Sequence, residues 1–201
     1  MDNEIGGVWR TIAGRRVFIK DGQNLSDAMK KSGKFQKKKE ITNEDKNIID
    51  DWVQLGNDME EERQNRLKEI IRDNGTVNGK VNLIRKVTTP ELGTTVEEIK
   101  TNPDKLIGRT ITAKGFLSTS SKESGADNFV GVTVKINNVK NTKGLDINKI
   151  DGLSLYGATR RAAEGEVLFN KGTKYKITKV NLMKDNWGEI YDYTIEADII
   201  E

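Results

Sequence analysis

The segment Glu164-Gly165-Glu166-Val167-Leu168-Phe169 places two glutamates immediately before a short apolar run. A run of this length and composition predicts a β-strand from Glu166 to Phe169. Residues two apart on a strand project from the same face, so the segment predicts that Glu164 and Glu166 lie side by side. Two carboxylates held this close disfavour each other's ionisation, which is a cost unless a cation or a reaction uses them. The pattern therefore indicates either a reactive carboxylate pair or an exposed sheet edge with two solvated glutamates.

Polar strand ends lie on both sides of this segment in the sequence. Upstream, Gly115-Phe116-Leu117-Ser118-Thr119-Ser120 changes from apolar to hydroxyl side chains. Such hydroxyls can line a cleft and orient a neighbouring acid by hydrogen bonds, or can mark a strand that ends in a loop. Downstream, Gly172-Thr173 ahead of Tyr175 predicts a hairpin turn.

Farther upstream, Arg85 ends the apolar run Leu83-Ile84. A strand-end arginine can be an ion-paired residue at the rim of a sheet. Its planar guanidinium can equally grip two phosphate oxygens at once. The sequence alone leaves both roles open.

Around these motifs the hydrophobic pattern predicts helices first and strands afterwards. Thr42 and Asp45 form a capping-box pattern ahead of a helical apolar stripe that contains Trp52, which we assign to the core. A second helix is predicted from Asn57 to Arg72. The predicted strands are Val81 to Val87, Arg109 to Ala113, Gly115 to Ser118, Val130 to Ile136, Glu166 to Phe169, Tyr175 to Leu182 and Tyr191 to Ile199. This order predicts an α+β fold in which N-terminal helices pack on two antiparallel-rich β-sheets.

By composition the chain divides into residues 1–41 and residues 42–201. The first part contains a short basic hairpin, Val8 to Ile19 with Ala13-Gly14 as its turn, and a lysine-rich linker from Asp21 to Glu40. We expect this basic arm to be a solvated tether or to contact nucleic acid or another acidic surface. The second part carries all of the polar strand-end motifs.

The composition excludes several kinds of chemistry. The 201 residues contain neither cysteine nor histidine, which excludes disulfides, zinc fingers, thiol nucleophiles and histidine bases. We expect no metal site, so catalysis would depend on carboxylates, hydroxyls, lysines, arginines or a cofactor. The formal net charge is only +3, from 34 basic and 31 acidic residues, so the whole chain is not of a nucleic-acid-binding type. With no signal peptide at the N-terminus and no apolar stretch of roughly 20 residues, the sequence predicts a soluble protein without a membrane partner.

Together, the motifs resemble the Arg–Ser–Glu class of mono-ADP-ribosyltransferases, which includes the enzyme components of clostridial binary toxins and related phage and vertebrate enzymes. That family combines a strand-end arginine, a Ser-Thr-Ser strand, and a Glu-x-Glu segment that runs into a Gly-Thr hairpin. This chain carries Arg85, Ser118-Thr119-Ser120, Glu164-Gly165-Glu166 and Gly172-Thr173 in that order. The arginine and Ser118 are 33 residues apart, and Ser118 and Glu166 are 48 residues apart. The resemblance extends from about residue 45 to the C-terminus, so residues 42–201 would form the catalytic domain.

The resemblance implies transfer of ADP-ribose from the substrate NAD⁺ to a protein side chain, with release of nicotinamide. It implies that Glu166 stabilises the oxocarbenium-like charge that develops at C1 of the ribose, much as a carboxylate does in glycoside hydrolysis. Ser118 would orient Glu166, and Arg85 would hold the pyrophosphate. Thr119 and Ser120 would shape the strand and the nicotinamide pocket.

The resemblance also implies that Glu164 handles the acceptor. In this family a glutamate at that place accompanies arginine acceptors, whereas a glutamine accompanies asparagine or cysteine acceptors. The segment Leu155 to Ala163, which contains Arg160 and Arg161, would be the loop that recognises the acceptor protein.

A second, shorter resemblance lies at the N-terminus. Residues 9–19 are similar to a segment of minor head proteins of phages that infect Gram-positive bacteria. This likeness implies a phage- or prophage-encoded, toxin-like protein in the bacterial host cytoplasm or the virion, whose basic arm contacts the phage head or DNA. Two alternatives stay open: an NAD⁺ glycohydrolase, in which water replaces the acceptor, and a non-catalytic structural module of a phage head.

Overall fold

The computed structural model describes residues 7–12, 15–20, 40–126, 129–154 and 164–201. The chain divides into two compact units, Met1–Glu40 and Ile41–Glu201. In the first unit, β1 (Gly7–Ile12) and β2 (Arg15–Lys20) pair antiparallel, with Gly7 opposite Lys20. This pairing confirms the predicted hairpin. Its turn and the lysine-rich linker up to residue 39 lie outside the described residues.

Three α-helices are described in the second unit: α1 (Asn43–Leu55), α2 (Glu61–Asn74) and α3 (Val96–Thr101). The predicted capping box of α1 is confirmed. The Thr42 hydroxyl accepts the Asp45 backbone N–H at 3.1 Å, and the Asp45 carboxylate accepts the Thr42 N–H at 3.1 Å. The predicted start of the second helix at Asn57 is wrong, because Gly56–Asp58 form a separate 3₁₀ turn and α2 begins only at Glu61.

Seven strands follow α2 in the chain and form one hydrogen-bonded sheet. They are β3 (Val77–Val87), β4 (Thr110–Thr112), β5 (Leu117–Ser120), β6 (Val132–Asp146), β7 (Glu166–Phe169), β8 (Lys174–Lys184) and β9 (Ile190–Ile199). Their order across the sheet is β3-β5-β7-β6-β9-β8-β4, and β3 pairs with β6 as well. The β6–β9 pair is parallel and the other pairs are antiparallel.

The α+β class is confirmed, but the two expected sheets are joined into one. The cause is the length of β6, which was predicted to end at Ile136 and instead continues to Asp146. Its residues from Val132 to Val139 pair with β3 and β9, Gly144 lies opposite Val77 of β3, and Leu145 and Asp146 pair with β7. A register irregularity lies between the pairs Ile136–Ala197 and Asn138–Asp198, and the strand continues through it with the same neighbours.

The sheet separates two apolar clusters. On one face, α1 and α2 pack against Leu145 and Leu168 of the sheet and against Phe116, which precedes β5. The other cluster contains Leu117, Val167 and Phe169 together with Ile99 from α3. Because successive strand residues alternate between faces, the polar ends of β5 and β7 can present side chains toward the helices while their neighbours stay in the second cluster. No helix in the described ranges is long and apolar enough to cross a membrane.

Candidate active site

Glu166 is the first residue of β7 and is only 7% exposed. Its Oε1 accepts two hydrogen bonds, from the Ser118 hydroxyl at 2.7 Å and from the indole Nε1 of Trp52 at 3.0 Å. Strand β5 supplies Ser118 and helix α1 supplies Trp52, so donors from the sheet and from the helical layer meet at one oxygen. Both donors stabilise the negative charge of a carboxylate that is largely withdrawn from water.

Arg85, near the end of β3, contacts the strand β5 that carries Ser118. One terminal nitrogen donates to the backbone carbonyl of Ser118 at 3.1 Å, and the other forms an ion pair with Glu91 at 2.8 Å. Ser118 therefore contacts Glu166 through its hydroxyl and Arg85 through its carbonyl. The guanidinium is oriented by two partners, so its position is set by the protein itself.

Two buried polar atoms near this ion pair have no hydrogen-bond partner among the described residues, Nε of Arg85 and the hydroxyl of Tyr175. Burial raises the pKa of the fully buried Tyr175, and the charge of Glu91 raises it further, while the charge of Arg85 opposes both. The tyrosine hydroxyl therefore lies within electrostatic reach of the Arg85–Glu91 pair and is protonated at neutral pH.

The hydroxyls of Thr119 and Ser120 form hydrogen bonds with backbone groups. Thr119 is buried, and its hydroxyl donates to the carbonyl of Val167 at 2.8 Å on the neighbouring strand. The Ser120 hydroxyl lies 2.5 Å from the carbonyl of Glu164 and accepts the N–H of Lys122 at 2.9 Å. Both hydroxyls therefore contact the backbone of neighbouring segments, and the role of these residues in shaping the nicotinamide pocket stays a prediction.

The expected side-by-side placement of the two glutamates on one strand is wrong. β7 begins at Glu166, and Gly165 has a φ of 63°, a left-handed conformation that turns the chain before the strand. Glu164 thus precedes the strand, although both glutamates line the same cleft. The loop after β5 fixes this turn, because both the N–H and the hydroxyl of Ser121 donate to the Gly165 carbonyl at 2.8 Å.

Gly125 packs against the same turn. A Cβ on Gly125 would lie 2.1 Å from the carbonyl oxygen of Glu164 and 2.2 Å from the hydroxyl of Ser120. No side chain fits between these groups. The segment from Ser120 to Gly125 therefore holds the backbone that carries Glu164.

All six predicted site residues line one cleft of about 720 Å³. They are Arg85, Ser118, Thr119, Ser120, Glu164 and Glu166. The same cleft is also lined by Trp52, Glu91 and Phe129, which the sequence analysis did not assign to the site. The volume lies in the range of about 300–1,000 Å³ that is usual for small-molecule sites.

Trp52 is the most important residue that the sequence analysis missed. Its position on the apolar stripe of α1 predicted a core role, and its ring does pack edge-on against Phe116, with centroids 5.1 Å apart. Its N–H, however, reaches Glu166, which is 114 residues away in the chain. A buried tryptophan N–H usually has an acceptor, but the sequence contains no signal of which acceptor it is.

Structures with similar folds include several bacterial ADP-ribosylating toxins. C3stau2 from S. aureus, solved with NAD, matches with a TM-score of 0.58 at 19% identity, over 89% of this chain and 96% of that chain. Plx2a, an ADP-ribosyltransferase toxin from Paenibacillus larvae, matches with a TM-score of 0.57 at 15% identity, over 80% of this chain and 87% of its own. BECa, from a binary enterotoxin of C. perfringens and solved with NADH, matches with a TM-score of 0.58 at 18% identity, over 97% of this chain and 55% of its own.

No curated protein sequence matches this chain. The family model for ADP-ribosyltransferase exoenzymes matches residues 29–199, which include the three strands that carry Arg85, Ser118 and Glu166. The match covers most of the chain and the whole of the cleft, and the chain therefore belongs to the ADP-ribosyltransferase exoenzyme family.

Proposed function

We propose that this protein transfers ADP-ribose from NAD⁺ to an arginine side chain of an acceptor protein and releases nicotinamide. The observation that carries the proposal is the buried carboxylate of Glu166, which accepts hydrogen bonds from Ser118 and Trp52 inside the cleft that also contains Arg85. Family membership and the solved relatives with NAD and NADH support NAD⁺ as the substrate.

The reaction breaks the bond between C1 of the ribose and the nicotinamide nitrogen, and the electron pair leaves with nicotinamide. Positive charge develops on the ribose, as it does in glycoside hydrolysis. The ionised carboxylate of Glu166 offsets this charge, and its two donors hold it in place so that little reorganisation is needed. A nitrogen lone pair of the acceptor then forms the new bond to C1.

Arg85 has the chemistry to hold the pyrophosphate. Its guanidinium carries a fixed positive charge, is pre-oriented by Glu91 and the Ser118 carbonyl, and keeps a buried Nε without a partner among the described residues. Charge-assisted hydrogen bonds from such a fork to phosphate oxygens are strong and directional.

Glu164 supports the choice of arginine as the acceptor. It lines the cleft and is partly exposed, so an incoming side chain can reach it. A guanidinium must lose a proton when it becomes the nucleophile, and a carboxylate beside it both attracts the cation and can accept that proton. The segment of residues 155–163 that was expected to recognise the acceptor lies outside the described residues.

A phage or prophage origin, with contacts of the basic arm to a phage head or DNA, stays a prediction. Residues 21–39, which would make those contacts, lie outside the part of the chain that the structure describes. The catalytic proposal does not depend on them.

Labelling with NAD⁺ tests the proposal. The wild-type chain is incubated with labelled NAD⁺ and a bacterial lysate, nicotinamide release is measured, and the modified side chain is identified by mass spectrometry. We expect Glu166→Gln to reduce both release and labelling by about 10²–10³-fold, and Glu62→Gln, at an exposed position on α2, to leave both unchanged.

Three outcomes would contradict the proposal. Nicotinamide release without any labelled protein would assign a glycohydrolase instead. Label on a side chain other than arginine would remove the acceptor assignment and keep the transferase. Full activity of Glu166→Gln would remove the catalytic assignment.

A further inference from the structure

Exposed apolar side chains concentrate in one part of the second unit. Among the described residues, seven large apolar side chains are exposed, and four of them are Phe129, Val130, Trp187 and Tyr191. The exposed fractions of the last three are 94%, 87% and 68%. We call these four residues, three of which are aromatic, the aromatic rim. Apolar side chains exposed together mark contact surfaces more often than single ones do.

The sheet register places the aromatic rim at one end of the sheet. Val87 at the end of β3 lies opposite Val132 at the start of β6, and Thr133 of β6 lies beside Thr194 of the parallel strand β9. Residues just before β6 and residues at the start of β9 therefore share the same end. Phe129 and Val130 precede β6. Tyr191 is the second residue of β9 and lies before the part of β9 that pairs with β6.

The β8–β9 hairpin projects beyond this end. Ile190 begins β9 four residues before its first pairing with β6, which corresponds to about 13 Å at about 3.3 Å per residue. Trp187 lies in the connection between the two strands and extends the aromatic rim outward.

The turn that carries Trp187 is held by its own hydrogen bonds. The carboxylate of Asp185 accepts the N–H groups of Trp187 and Glu189 at 2.9 Å each. The Asp185 N–H also donates to the carbonyl of Glu189 at 2.9 Å, and the Gly188 N–H donates to the carbonyl of Asp185 at 3.1 Å. The backbone under an almost fully exposed tryptophan is thus fixed in advance, which lowers the entropy cost of using that tryptophan in a contact.

We propose that the aromatic rim is the docking surface for the acceptor protein, an inference that rests on the proposed function. The acceptor arginine must enter the cleft, and Phe129 lines the cleft at the same end of the sheet as the rest of the rim. In the β8–β9 hairpin, the exposed acidic residues Glu189 and Asp192 lie next to Trp187 and Tyr191, and the same hairpin carries one exposed lysine, Lys184. An apolar rim flanked by acids suits a basic protein segment that presents an arginine.

Comparing the labelling of a protein acceptor with that of a small-molecule acceptor distinguishes an effect on docking from an effect on the reaction itself. Agmatine presents a guanidinium on a short aminobutyl chain and has no protein surface to dock, whereas the proteins of a bacterial lysate do. We expect Trp187→Ser to reduce labelling of lysate proteins by at least about tenfold, as for a tryptophan anchor, and to leave agmatine labelling and nicotinamide release within about twofold of wild type. Tyr191→Ser is expected to act in the same direction.

Ile107→Ser is the matched control, because Ile107 is also an exposed apolar residue and does not line the cleft. We expect it to label lysate proteins and agmatine as the wild type does. Unchanged lysate labelling by Trp187→Ser, or an equal fall in lysate and agmatine labelling, would overturn the docking surface alone. Failure of the wild type to label either acceptor would instead overturn the proposed function.

Sedimentation of the full chain at several concentrations tests whether a second copy of this chain covers the aromatic rim instead. The expected result is the same sedimentation coefficient for wild type and Trp187→Ser. A concentration-dependent wild-type dimer that Trp187→Ser abolishes would assign the aromatic rim to a second copy of this chain and overturn the proposal.

Discussion

The indole Nε1 of Trp52 lies 3.0 Å from Oε1 of Glu166, the oxygen that also accepts the Ser118 hydroxyl. Trp52 belongs to the helical layer and Ser118 to the sheet. The carboxylate is therefore fixed between the two layers, and any relative movement of α1 and β5 would alter its position. This dependence leads to the first prediction.

Trp52→Phe removes the N–H donor and keeps an aromatic ring that can pack against Phe116. A hydrogen bond to a charged group is worth about 1.5–3 kcal/mol. If it acts in the transition state, its loss lowers kcat/KM for nicotinamide release about 10- to 150-fold. Steady-state kinetics check this, with Trp187→Phe as the control at an exposed tryptophan. Wild-type kinetics for Trp52→Phe would show that the indole hydrogen bond is not needed to position Glu166.

Substitutions at Ser118 and Arg85 should affect different kinetic constants, kcat for Ser118 and KM for Arg85. Ser118→Ala removes the hydroxyl that binds Glu166 but keeps the backbone carbonyl that binds Arg85. We expect kcat to fall by about 10- to 100-fold, with KM for NAD⁺ changed by less than about threefold. Arg85→Lys keeps the charge and loses the fork, so its main effect should be a higher KM. The assignment fails if the two variants show the reverse pattern.

Gly125→Ala should uncouple transfer from hydrolysis. Its Cβ would collide with the Glu164 carbonyl and the Ser120 hydroxyl, so the turn that carries Glu164 must shift. Glu166 belongs to β7 and pairs with Ser120 of β5, so we expect it to shift less than Glu164 does. We expect labelling of agmatine to fall at least about tenfold more than nicotinamide release does. Gly79→Ala strains a positive φ, but its Cβ meets nothing within 4 Å, so it controls for general destabilisation and should leave the ratio of the two activities unchanged.

The capping box of α1 predicts a pH-dependent loss of stability. Burial alone would raise the pKa of Asp45, but hydrogen bonds from Thr42 and Arg66 outweigh burial and hold this pKa below its ordinary value of 3.8. A carboxyl with a depressed pKa adds stability above its unfolded pKa and loses that contribution as the pH falls through its folded pKa. Asp45→Asn should therefore lower the free energy of unfolding by about 1–3 kcal/mol at pH 7 and pH 5, and the difference should shrink below pH 3.8.

Urea denaturation at each pH measures this difference. Asp58→Asn, at an exposed acidic position outside the capping box, serves as the control and should change little. A difference between wild type and Asp45→Asn that stays constant down to pH 2 would contradict the assigned cause.

Tyr175→Phe should not destabilise the protein. The hydroxyl of Tyr175 is fully buried and has no hydrogen-bond partner among the described residues. A buried polar group without a partner costs about 1–3 kcal/mol, so its removal should keep or raise Tm. Thermal unfolding followed by circular dichroism measures the change. A fall in Tm of several degrees would mean that the hydroxyl has a partner, such as a buried water molecule between it and Arg85.

Local patterns were sufficient for much of the fold. The capping box at Thr42 and the strand beginning at Glu166 follow from short segments whose chemistry is self-contained. The strand predicted from Gly115 to Ser118 lies two residues farther along, at Leu117–Ser120. The roles assigned to the individual site residues stay predictions until the variants are measured. Their presence in one cleft is the part that the structure supplies.

Features that depend on distant partners were not predictable from the sequence. The N–H of Trp52 finds an acceptor 114 residues away, and no local pattern specifies that pairing. The alternation rule failed at Glu164 because Gly165 adopts a positive φ, which ends the two-residue repeat. Two sheets were expected, and the strand predicted to end at Ile136 instead continues to Asp146, where it pairs with β7.

The position of β9 has a consequence for synthesis on the ribosome. Residues 190–199 come after every other strand of the sheet in the chain, yet they pair with β6 on one side and β8 on the other. Until they emerge, both neighbouring strands carry open edges that attract other chains. A nascent polypeptide that already contains Arg85, Ser118 and Glu166 therefore cannot complete its sheet, and premature termination before Ile190 would yield an aggregation-prone fragment and no transferase.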